Sequence, residues 1–139
     1  MKWPKKIVDA NVLLRFFLAD NPEFFQRAKD FVSRIETGQE VILLSEMVFA
    51  EVVWVLHKVY LVPRNEISPA LSKVIRFKGI KTLVPKEVFL EALNLYPKSR
   101  IDIQDLFLAA LSRVNQATII TFDRTDFKKL GVLFTEPTG

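Results

Sequence analysis

The chain has 139 residues, half of them apolar, and 20 Lys and Arg against 16 Asp and Glu give it a formal net charge of +4. That is the size and apolar content of one ordinary domain with a real core, so disorder is excluded and residues 1–139 read as a single domain. With no cysteine, disulfides, thiolate catalysis and Cys-based zinc sites fall away, and any chemistry must come from oxygen and nitrogen groups.

The basic start MKWPKK has the charge of a signal peptide's opening, but Asp9, Asn11 and Arg15 interrupt the apolar segment that would have to follow. No membrane-length apolar run occurs elsewhere, so a soluble, cytoplasmic protein with no membrane partner is expected. Lys6 to Val8 reads as a first short strand, with Asp9 directly after it and a helix-like apolar run behind. NPEFFQRAKDFVSRIETG is the clearest helix: Asn21 is its N-cap, Pro22 lies in the first turn and Gly38 falls just past the end. Val41 to Leu44 reads as a second strand, and the helix SEMVFAEVVWVLHKVY opens straight after it at Ser45. Arg64 to Phe77 is helical, with Pro69 expected to limit a first turn. A strand at Ile80 to Val84 and a helix around Lys86 to Leu95 follow. IDIQDLFLAALSRVNQ can use Asp102 as its cap, Thr118 to Thr121 reads as a strand, and Val132 to Phe134 is a candidate fifth. This order predicts an α/β three-layer sandwich: a twisted, mainly parallel sheet of four to five strands, helices on both faces and right-handed crossovers.

Open α/β sheets bind ligands beyond the carboxyl ends of their strands. Asp9, Ser45 and the Asp123–Asp126 pair of TFDRTDF all fall there, although each is also a residue type that caps helices or turns. Glu51 has Met47, Val48, Trp54 and Val55 three and four residues away, which predicts a carboxylate on a core-facing stripe. A buried carboxylate must be paired with Lys or Arg, protonated or metal-bound. Asp105 precedes the apolar run LFLAAL in a helix's first turn, where the dipole favours an acid, and its spacing from Asp102 also fits a capping box.

If Asp9, Glu51, Asp105 and Asp123 converge, two like charges at about 4 Å repel by roughly 4 kcal/mol at an effective dielectric of 20. Hard divalent cations relieve that repulsion, because Mg²⁺ and Mn²⁺ prefer carboxylate and water oxygens. Two such ions about 3.5–4 Å apart suit phosphodiester hydrolysis. Other chemistries find no support: four glycines form no P-loop or dinucleotide motif. The middle strand ends in TLVPKE, without the Asp of a phosphoryl-accepting receiver, and the only histidine, His57, lacks an evident catalytic partner.

The segments IVDANVLLRFFL, SEMVFAEVVWVL, DIQDLFLAAL and TIITFDRTDF together resemble the PIN-domain family, and within it the VapC-type toxins of toxin–antitoxin pairs. The resemblance spans nearly the whole chain. It implies a Mg²⁺- or Mn²⁺-dependent endoribonuclease, commonly a homodimer, with RNA as substrate and an antitoxin protein that blocks the acidic site. By motif, Asp9, Glu51, Asp105 and Asp123 become the catalytic metal-binding acids, with Asn11, Ser45 and Thr121 as polar supports. Asp102 stands beside the third motif as a cap or supporting acid. Asp126 stays open as a rival or additional ligand to Asp123, because TFDRTDF is one residue longer than the usual spacing. Lys2, Lys5, Lys6, Arg100, Arg124, Lys128 and Lys129 are candidates to flank the RNA, or ordinary solvated surface. The competing expectation is a catalytically idle domain of this fold that binds a protein or RNA, its acids held by Lys or Arg.

Overall fold

A computed structural model describes residues 3 to 138, so the basic residue Lys2 lies outside the described residues. Along them run α1 (Ala10–Leu18), α2 (Pro22–Thr37), β1 (Ile42–Leu43), α3 (Glu46–Trp54), α4 (Arg64–Ile75), β2 (Ile80–Lys81) and α5 (Lys86–Leu95). Then come α6 (Ile103–Asn115), β3 (Ile119–Ile120), α7 (Arg124–Leu130) and β4 (Phe134–Thr135). A π-helical turn, Val55–Val59, extends α3, and a 3₁₀ turn, Tyr96–Lys98, extends α5.

The capping residues act locally as their chemistry requires. Asn21 Oδ1 accepts from the Phe24 amide at 3.0 Å, Pro22 begins α2, and Gly38 ends it at φ 85°. The next turn depends on Gly79, whose amide donates to the Ile35 carbonyl at 2.8 Å while its own carbonyl accepts from Ile42 at 2.8 Å. A Cβ there would stand 2.0 Å from the Glu40 carbonyl oxygen, so only glycine lets the end of α2 meet the sheet. Pro69 lies inside α4 rather than in a first turn, because the helix already starts at Arg64, after Pro63. Its missing N–H costs α4 the bond to Asn65 that another residue would make.

The expected sheet of four to five strands is not found among the described residues. β1 and β2 pair in parallel, Ile42 opposite Ile80, and β3 and β4 pair in parallel, Ile119 opposite Phe134. The first expected strand makes only a single parallel bridge, Ile7 to Leu43. Helix starts at Asp9, Ser45 and Asp123 cut the apolar runs short, leaving two or three residues to pair. Ile7 and Ile120 are 70% and 61% exposed, so the two ladders do not close into one surface there.

The core lies between helices and the β1–β2 ladder. Phe49, Phe89, Leu93 and Leu106 are fully buried, and the rings of Phe49 and Phe89 meet edge to face at 5.0 Å. Burial of each such side chain contributes about 1.5–3 kcal/mol. A smaller cluster of Ala109, Phe127 and Val132 seats α7 and the strand after it on α6. This second contact brings Asp123 and Asp126 to the first turn of α6.

Candidate metal centre

The Ile7 bridge, β1 and β3 each hand the chain to a polar residue that caps a helix: Asp9, Ser45 and Asp123. Asp9 Oδ1 accepts from the Ala10 amide at 2.8 Å, and Ser45 Oγ accepts from Val48 at 3.1 Å. Because Ile7 bridges Leu43 in parallel, Asp9 and Ser45 lie in matching positions, two residues beyond the bridge. Asn11 is exposed on the first turn of α1. On the other ladder, Thr121 Oγ1 accepts from the Asp123 amide at 2.9 Å, and Asp123 Oδ1 accepts from Asp126 at 3.3 Å.

Carboxylate oxygens of Asp105, Asp123 and Asp126 all lie within 4.8 Å of one another. Asp105 and Asp126 are half-buried and Asp123 is exposed. Burial, followed by the charges of Asp123, Asp126 and Asp102, raises the Asp105 carboxyl above its ordinary range. The ion pairs among the described residues join Lys6 to Glu40, Arg15 to Asp20, Arg113 to Glu91 and Arg124 to Glu136. None reaches these three acids. Oxygen donors crowded together without a basic partner are the donor set that suits a hard divalent cation.

Asp102 takes the N-cap position of α6 through its backbone, its carbonyl accepting from Leu106 at 3.1 Å, but its side chain makes no capping bond. It stands as a further charge beside Asp105. Asp9 and Glu51 do not belong to the group of three. Glu51, expected on a core-facing stripe, is exposed, on the same side as Met47 (84% exposed) and Trp54 (50% exposed). The core side of α3 is instead formed by Phe49, Val52 and Val53, continued by Leu56. His57, in the π-helical turn, has its Nδ1 3.0 Å from the Val62 carbonyl.

The residue that sequence reasoning missed is Arg64, which bonds the backbone between Tyr96 and Ile101, 32 to 37 residues away. No short-range pattern could have marked it.

An α/β domain whose strand ends and helix starts gather unpaired carboxylates has the build of a site for metal-dependent phosphate chemistry. The particular family is defined by the sequence: the chain belongs to the PIN domain family, whose model matches residues 6–133. Domains of this family are generally metal-dependent nucleases. No curated protein matches the chain. Among the described residues no helix is long and apolar enough to cross a membrane.

Proposed function

We propose that this PIN domain is a Mg²⁺- or Mn²⁺-dependent endoribonuclease, acting through Asp9, Glu51, Asp105 and Asp123, with Asp126 as an additional ligand. The observation that carries this reading is the group formed by Asp105, Asp123 and Asp126, which no Lys or Arg among the described residues of this PIN domain pairs with. A bound divalent cation would supply an activated water and charge neutralisation at the phosphate. The chain's own work is to hold the carboxylates: α6 presents Asp105, and the turn fixed by Thr121 presents Asp123 and Asp126. Asp9 and Glu51 enter by motif, with Ser45, Asn11 and Asp102 as supports.

RNA as substrate is supported by an open groove between α1 and α2 that starts at Asn11 and is lined by Arg15, Arg27 and Arg34. The Arg15 guanidinium lies 5.0 Å from the Phe24 ring centroid, so charge and aromatic surface occur together, as single strands require. We further propose a cytoplasmic toxin, homodimeric and held by a cognate antitoxin. In support, Met47, Trp54, Val59, Tyr60 and Leu61 leave an apolar stretch exposed along α3 and its extension.

The test is cleavage of a mixed RNA pool with Mn²⁺ by the wild type, Glu51→Gln and Asp105→Asn, with cut sites mapped. Wild-type cleavage that EDTA stops and both variants lack is expected. Undiminished cleavage in EDTA, or by a double variant, would sink the metal mechanism. A second reading, the idle binding module, is favoured by Asp9, whose carboxylate is bonded to the Ala10 amide, and by Glu51, which stands outside the group. Calorimetric titration with Mn²⁺ separates the two: the nuclease binds and the module does not.

A further inference from the structure

Arg64 opens α4, yet its side chain serves the segment between α5 and α6. Nη1 donates to the carbonyls of Tyr96 (3.2 Å), Ser99 (3.1 Å) and Ile101 (2.7 Å), and Nη2 to that of Arg100 (3.2 Å). The guanidinium lies 4.2 Å from the Tyr96 ring centroid. Among the described residues it has no carboxylate partner, so the backbone carbonyls are its counter-dipoles. Such a convergence needs a planar fork with several donors, which a lysine ammonium does not offer.

The closest of these bonds is to Ile101, the residue before the N-cap of α6. That helix start lacks the usual fixture, because the Asp102 side chain makes no capping bond. It also carries Asp105 toward the like charges of Asp123 and Asp126, an approach that repulsion opposes. We propose that Arg64 is a positioning residue for the acidic site: by gathering the carbonyls of residues 96–101 it sets where α6 begins, and so where Asp105 stands against Asp123 and Asp126. This rests on the metal-site reading above for its consequence, and on the backbone geometry alone for its mechanism.

The experiment compares full-length wild type, Arg64→Met and Arg64→Lys by Mn²⁺ calorimetry, and by amide hydrogen exchange of the metal-free proteins. Loss of the clamp in Arg64→Met should weaken Mn²⁺ binding about 10–100-fold, the range for partners that orient metal ligands. Arg64→Lys keeps the charge without the fork and should remain at least about tenfold weaker than wild type. It also carries the test if the Met variant does not fold. Exchange should rise at residues 106–109, the first hydrogen-bonded amides of α6, but not in α2, and cleavage should lose kcat with KM unchanged. Wild-type Mn²⁺ affinity in both variants, or exchange that is unchanged or raised evenly along the chain, would overturn the proposal. If the wild type binds no Mn²⁺, the metal reading falls by itself, and exchange at residues 106–109 decides whether Arg64 sets the start of α6.

Discussion

Replacing Asp105 by Asn should make the metal-free protein more stable and the metal-loaded protein relatively less so. At a separation of 4.8 Å, the span of the acidic group, one like-charge pair is worth about 0.9 kcal/mol at the dielectric of water and about 3.5 at an effective value of 20. Asp105 faces two such neighbours, but Asp123 is exposed and screened. Removing the acid also forfeits about 0.3–1 kcal/mol of helix-dipole stabilisation in the first turn of α6. The net gain should be about 1–3 kcal/mol near neutral pH. Its pH dependence follows from the raised carboxyl, which starts from an ordinary value of 3.8. Folded wild type binds this proton more tightly than the unfolded chain, so its stability falls as pH rises from there through the folded pKa. The Asp105→Asn variant lacks that fall; its advantage should be full above the folded pKa and gone below the unfolded one. Urea unfolding in EDTA at pH 7 and pH 3 measures this. Mn²⁺ at 100 times its Kd should then add about 2.7 kcal/mol to wild type and much less to the variant. An Asp105→Asn protein that is less stable in EDTA at pH 7, or that gains as much from Mn²⁺, would refute the reasoning.

Gly79→Ala should destabilise by about 3 kcal/mol or more in thermal unfolding, because the new methyl meets two backbone carbonyls, those of Glu40 and Ile35, rather than a pliable side chain. Asn21→Ala removes the bond to the Phe24 amide and should cost about 1 kcal/mol by chemical denaturation. Glu51→Gln, on an exposed surface, should shift stability by less than about 0.5 kcal/mol while abolishing Mn²⁺-dependent cleavage, so unfolding and RNA assays on one sample separate site from fold.

Much of the fold was legible because its punctuation is chemical. Asn21, Ser45 and Asp123 each accept from a helix amide as their residue types imply, and α5 spans the predicted Lys86–Leu95. Strand pairing was not legible: β-rich composition marks where a strand runs but not how many residues find a partner before the next cap. The exposure of Glu51 departs from its expected core-facing position for a related reason. With apolar residues on every side of α3, the spacing of Met47 and Trp54 describes a stripe as well as that of Phe49 and Val53 does, and only tertiary packing chooses between them. Of the acidic positions, Asp105 and Asp123 lie in one group with Asp126, the position the odd spacing leaves open, while Asp9 and Glu51 stand outside it.

The division of the sheet has a mechanical consequence. Asp9 and Ser45 follow the strand segments of one ladder, whereas Asp123 and Asp126 follow the other, and among the described residues no backbone hydrogen bond links the two. What spans the gap is α6, packed against α3 and α5 on one side and against Phe127 and Val132 on the other. A shift of Asp9 toward Asp123 and Asp126 would therefore break no ladder bond, each worth about 1 kcal/mol. The compliance of the site is that of side-chain packing along one helix, while each half keeps its own backbone frame.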